Sequence, residues 1–404
     1  MRVGANPRIA RAKTDWRRIC HLSVKKSGST AEKLRWKSRP AIALSNGTVE
    51  LIVLTGGGHI ASFRFVGRGP NLLFETPWTT IDPQTFQEGR DASIYGSGPS
   101  GRFFSGFTGH TTAVGYYGLP SKSEARAGLP EHGEVASSLW RVVKMSGGSA
   151  AKVSMEAKAQ ISGLRLHREI ELRRGESFAR ISESVSNDRK TENFFQWVQR
   201  ATFGEPLLAP KVSVVTVPGF RGRTSERSYD GKDLLAKNQQ FRWPVAASAH
   251  GGSCDLRQAF HQEGRGYEAA VLLDTTRDTG FISVFNPELR IAAGYSFPTK
   301  NFPWIAMWEE NRTRTAIPWN GTTRVRGIEF GNSPFSTGLA QAIFDGPLFE
   351  TPVVAGLDAG ASVTAEYRLF AAEISPTWEA IGDVREDGDQ IILRGTHRSE
   401  SVRI

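Results

Sequence analysis

The amino-acid sequence predicts an all-β protein, an antiparallel sandwich or barrel, and three observations lead there. From Ile42 onward, short β-like runs are broken by Gly, Pro, Asn and Asp, and the 404 residues include 42 glycines and 20 prolines, which favours turns over long helices. The run LRLHREIELRR from Leu164 alternates apolar and polar residues with a period of two. Amphipathic helical periodicity is scarce, so many strands with few helices point to a sandwich or barrel.

Taken in order, residues 50–54 and 59–66 flank TGGG and read as a hairpin. Further strands are expected over 152–157, 177–185, 211–217, 269–273, 280–285, 291–297, 324–330 and 362–370. In the run from Leu164, Leu164, Leu166, Ile170 and Leu172 take one face, and Arg165, His167, Glu169, Glu171 and Arg173 the other. That is the pattern of a half-buried antiparallel strand. Helical turns are expected only near 121–127 and 376–381. No fixed-period repeat and no linker interrupt residues 41–373, which read as one large domain followed by a partly ordered C-terminal segment, 374–404.

The formal charge of +10 suggests an anionic partner until it is located. Residues 1–39 carry twelve Lys/Arg against two acids, leaving 39 of the 51 basic and 39 of the 41 acidic residues for the rest. The body is therefore balanced, and residues 1–40 read as a basic, disordered N-terminal extension. Neither a nucleic-acid partner nor a membrane anchor is expected: the basic head lacks a continuous apolar core, and no later stretch reaches the ~18 apolar residues of a spanning helix. Two cysteines, Cys20 and Cys254, exclude a disulfide framework and fit a reducing, cytoplasmic setting.

Gly96, Gly98 and Gly101 match G-x-G-x-x-G, but a nucleotide loop needs a strand before it and a helix after it, and RFFSGFTGHTT reads as a poor helix. His250, Cys254 and His261 fit no familiar structural-zinc spacing, so neither a metal nor a cofactor is expected. More informative is NFPWIAMWEENRTRTAIPWNG, which gathers Trp304, Trp308 and Trp319 beside Glu309, Glu310, Asn311 and Arg312. Indole faces suit the C–H side of a sugar ring, and carboxylates and amides suit its hydroxyls. For any single Trp, a place in the sandwich core is the simpler explanation.

Four stretches together resemble the aldose 1-epimerase, or galactose mutarotase-like, superfamily. PEHGEVASSLW from Pro130 is similar to a segment whose histidine reaches the sugar. The pair of strands in LRLHREIELRRGESFARISESVSN, ending at Val185 and Asn187, resembles the family's central strands. FFQWVQRATFGEPLL lies where the family places a second histidine, and RVRGIEFGNSPF resembles the late strand bearing the catalytic glutamate. The resemblance implies a large antiparallel supersandwich that interconverts sugar anomers without a cofactor. A base takes the C1 hydroxyl proton while an acid protonates the ring oxygen.

Carried over residue by residue, the resemblance makes Glu329 and His132 the catalytic residues. It surrounds them with Arg102, Arg200, Gln199, Trp304 and Trp308 as substrate-binding residues. Arg102, from the glycine-rich loop, would act as a hydroxyl-binding cation. One departure stands out: Gln199 and Arg200 occupy the place of the family's acid histidine, and neither shuttles protons near neutral pH. Either His132 takes the acid role, or the chain is a non-catalytic carbohydrate-binding protein. Arg200 would also suit a sugar acid, so the expected ligand is a small sugar or sugar acid.

Overall fold

The computed structural model describes residues 28–397 and 399–404. Among these, antiparallel strands form a thirteen-stranded and an eight-stranded sheet. The larger sheet runs from Thr30–Trp36 through Arg39–Ser45, Val49–Leu54 and Ile60–Phe65 to His110–Val114. Next come Trp197–Gly204, Arg324–Gly331, Trp304–Asn311 and Tyr267–Leu273, and then Gly219–Thr224 and three short strands out to Ser253–Asp255. The smaller sheet is built around Ser362–Glu373, Phe178–Asn187, Leu164–Arg173 and Ala150–Ala159. Leu166, Ile170, Ile181 and Val185 from the smaller sheet meet Phe203, Ile305, Ile328 and Phe330 from the larger in one shared apolar core. The protein is a β-sandwich.

Alternation places most side chains on the expected face. The same alternation puts a charged residue, Arg168, on the apolar side of the Leu164–Arg173 strand, 1% exposed, where it donates to Glu183 at 2.6 Å. Buried charge needs a partner, and this pair has a network. Gln199 Nε2 donates to Glu183 at 2.5 Å, and Gln199 Oε1 lies 2.9 Å from His110 Nε2 and accepts from Thr112 Oγ1 at 3.0 Å. Tyr367 donates to Glu183 at 3.0 Å. Burial foremost, aided by Arg168, pushes His110 down to about 3, and burial with Arg39 nearby does the same for His59.

The structure differs from the expectation at three places. Thr30–Trp36 begins inside the segment read as a disordered extension, because Leu34 and Trp36 pack onto Ala41, Ala43 and Ile52 while Lys33 and Arg35 are exposed. The rest of that segment, residues 1–27, lies outside the described residues. The helical turn expected at 376–381 is a turn leading into the strand Ile381–Asp387, one of three strands in a small sheet. Its Ile381, Val384, Ile391 and Leu393 bury against Phe178, Phe281, Phe285 and Phe370 of the eight-stranded sheet. The glycine-rich loop proves to be a helix, Gly98–Gly106, following the helix Glu88–Tyr95. Packing of Phe103 and the adjoining Phe107 against Phe74 and Trp319 outweighs its poor intrinsic propensity. The expected helix near 121–127 forms as Lys122–Arg126, closed by a Ser121/Glu124 capping box.

Glu183→Ala strands the Arg168 charge and should cost about 3–5 kcal/mol in urea unfolding; a loss below 1 kcal/mol would show that the pair contributes little. His59 and His110 have folded pKa values depressed from 6.5 to about 3, so their contribution is complete above pH 6.5 and is lost as the pH falls toward 3. Unfolding free energy should therefore drop through that window, and His110→Gln should flatten the drop.

Candidate functional site

The outer face of the thirteen-stranded sheet carries the site. Registers Gln199↔Phe330 and Thr202↔Gly327 set Arg200 beside Glu329, and Ala306↔Glu329 and Ala270↔Ala306 extend that row across two more strands. The next row holds Gly327, Trp308 and Glu268, paired in that order. Because alternation sends neighbours to opposite faces, Arg200 looks outward while Gln199 points into the inter-sheet network.

Glu329 is fully buried, and every donor near it is used. Its Oε1 accepts from Trp308 Nε1 at 2.7 Å, and its Oε2 accepts from the Tyr117 hydroxyl at 2.7 Å. Arg200 spans both oxygens, with Nη2 3.3 Å from Oε1 and Nε 3.3 Å from Oε2. The indole can reach across only because residue 327 is glycine: a Cβ there would lie 1.9 Å from Trp308 Nε1.

Above this floor is a cleft of about 560 Å³, counting the part open to solvent. Phe103, Phe107, Trp308, Trp319 and Phe335 give it aromatic walls, and Glu131, His132, Arg200, Glu268 and Arg314 supply charge and hydrogen bonding. His132 adopts φ +61°, a left-handed conformation uncommon for a non-glycine residue, and Gly133 follows at +81°. The His132 ring lies 4.9 Å from Phe103 and 5.4 Å from Tyr117, centroid to centroid. Its Nε2 is 3.3 Å from Glu131 Oε1, and its buried Nδ1 has no partner among the described residues. With the Nε2 proton assigned toward Glu131, Nδ1 keeps a free lone pair. Burial and then Arg200 lower the His132 pKa, against the pull of Glu131 and Glu329.

Glu268 is the residue that sequence reasoning missed. Its strand was expected to start at Ala269, two positions too late, whereas the pairing with the Trp304–Asn311 strand begins at Tyr267↔Glu309. The Glu268 carboxylate lines the cleft and accepts no hydrogen bond from the described residues. Burial raises its pKa, with Glu329 and Glu131 adding to the rise and Arg314 and Arg227 opposing it. Tyr117, Glu131 and Arg314 were missed too. Arg314 stands 5.1 Å from the Trp319 ring and 4.7 Å from Tyr229.

The structure brings together His132, Arg200, Trp308 and Glu329 and sends three other expected residues elsewhere. Arg102 points back toward the Pro83 carbonyl, 3.4 Å from its Nε. Gln199 faces the inter-sheet core, because it is one residue out of phase with Arg200. Trp304 is fully buried under Phe349, with its Nε1 donating to the Pro352 carbonyl at 3.0 Å.

No family model matches this sequence, and no curated protein matches it. Solved structures do match its fold. A Klebsiella pneumoniae protein proposed to be an aldose 1-epimerase aligns over 87% of this chain and 85% of its own, at 13% identity and a TM-score of 0.62. A galactose mutarotase-like protein from Clostridium acetobutylicum aligns over 86% of this chain and 100% of its own, at 13% identity and a TM-score of 0.57. The chain has the galactose mutarotase-like fold. One from Lactobacillus casei matches over 82% of this chain and 100% of its own, at 12% identity and a TM-score of 0.52. Within this mutarotase-like sandwich, no helix among the described residues is long and apolar enough to cross a membrane.

Gly327→Ala should force the Trp308 indole away from Glu329 and cost roughly 1–3 kcal/mol of stability. The Trp308 indole N–H resonance should leave its carboxylate-bonded position in a ¹H–¹⁵N spectrum, and an unmoved resonance would contradict this account of the floor.

Proposed function

We propose that the cleft binds a sugar and catalyses anomer interconversion of the aldose 1-epimerase type, with His132 and Glu268 as the proton-transferring pair. The observation that carries this reading is one cleft holding aromatic walls, a histidine with a free ring nitrogen and a carboxyl group that accepts no hydrogen bond. Ring opening needs a base at the C1 hydroxyl and an acid at the ring oxygen, and closure needs the reverse. A histidine with lowered pKa and a carboxyl with raised pKa are drawn together in proton affinity, which lessens the cost of exchanging roles. Glu329 then serves as a fixed anion that orients Arg200, Tyr117 and Trp308 rather than as the base. The mutarotase-like neighbours support a sugar ligand, and the low cysteine content supports the cytoplasm as its setting.

The closure of Glu329 under three donors also favours a second reading, a carbohydrate-binding protein without turnover. Exchange NMR with glucose, galactose and galacturonate separates the two. The wild-type chain should speed anomer exchange for at least one sugar, and His132→Gln and Glu268→Gln should each slow it by about 10²–10⁴-fold. Saturable binding with no acceleration would establish the second reading. Full loss in Glu329→Gln with normal rates in Glu268→Gln would return the base to Glu329.

A further inference from the structure

Beyond the cleft, the same sheet carries Arg221, Arg223 and Arg242, which the proton chemistry does not use. The Gly219–Thr224 strand lies next to Tyr267–Leu273, and Arg223↔Ala270 and Arg221↔Leu272 continue the rows that contain Glu329 and Trp304. Across the next pairing, Arg221 stands directly opposite Arg242. Like charges facing each other on adjacent strands are destabilising. Elsewhere on the surface arginines are matched to acids, as in Arg141–Glu156, Arg165–Asp188 and Arg257–Asp255.

Here they are not. Among the described residues, the hydrogen bonds of this group go to neutral acceptors: Arg221 Nη2 to Gln240 Oε1 at 3.4 Å, Arg223 Nε to Asn238 Oδ1 at 2.7 Å, and Arg227 Nη1 to the Ser336 carbonyl at 3.4 Å. Arg227 joins the group to the cleft, because Ser336 lines the cleft rim. Two guanidinium groups rest on aromatic rings, Arg221 at 4.1 Å from the Phe349 centroid and Arg242 at 5.3 Å from Phe220. Such stacking holds the planar fork in place and leaves its N–H edge for an oxyanion. The result is local positive charge on a body that is otherwise balanced.

We propose that Arg221, Arg223, Arg227 and Arg242 form a second binding surface for the carboxylates of an acidic oligosaccharide whose end residue occupies the cleft. The proposal rests on the sugar reading of the cleft and adds a substrate class, polyuronate chains. Arg242 lies three strands from Trp304–Asn311, about 14 Å at the usual sheet spacing, so it can engage only a ligand longer than one sugar. Arginine's fork matches a carboxylate in two parallel hydrogen bonds, which favours uronates over neutral glycans.

Calorimetric titration of the full chain with trigalacturonate, galacturonate and a neutral galactotriose tests this at low and high NaCl. The trimer should bind at least ten-fold more tightly than the monomer at low salt, with the advantage shrinking as salt rises. The double variant Arg221→Gln/Arg242→Gln should lose that advantage and keep monomer binding. Equal affinities for trimer and monomer, or an unchanged double variant, would overturn the proposal. So would a sulfated trisaccharide or single-stranded DNA binding as tightly as trigalacturonate with the same dependence on the two arginines. Failure of the cleft reading gives a different signature, in which galacturonate does not bind while the trimer still responds to the double variant.

Discussion

The buried carboxylate of Glu329 is the constraint around which the functional face is organised. A charge fully removed from water must be met by donors, and Glu329 is met from three directions: an indole on the neighbouring strand, a guanidinium on the strand at its other side, and a phenol from the segment following His110–Val114. Satisfying it fixes Trp308, Arg200 and Tyr117 at once. All three line the cleft, and Arg200 also lowers the His132 pKa. The glycine at 327 is the steric counterpart of the same requirement, since any side chain there would displace the indole donor.

The opposite face of the same strands solves a similar problem with different residues. Arg168 and Glu183 are buried between the sheets and are completed by Gln199, Thr112, Tyr367 and Trp197. Adjacent residues Gln199 and Arg200 thus belong to two separate polar networks, one locking the sheets together and one facing ligand.

A cleft with an acid, a histidine and aromatic walls assembles chemistry from distant parts of the chain. His132 enters on a loop held in a left-handed turn, Glu268 and Trp308 sit opposite each other on paired strands, and Arg221 and Arg242 extend the same face outward. The rigid sheet supplies the spacing and Glu268, and a loop supplies His132.

The sequence by itself determined the β class, the alternating strands from Leu164 to Val185 and the neutral body behind a basic head, because these depend on period and composition alone. The family resemblance named His132, Arg200, Trp308 and Glu329, which the fold does bring together, but neither the buried partner of Arg168, Glu183, nor the helix built from Gly98–Gly106, where packing overrides local preference, was legible locally. Which carboxylate faces the cleft was left to the tertiary structure. Glu329 and Glu268 both sit among apolar neighbours in strands, and nothing local tells them apart. Strand register, which covers one with an indole and a guanidinium and leaves the other without a donor among the described residues, makes the difference. Register is a relation between segments far apart in the chain, so no local pattern encodes it.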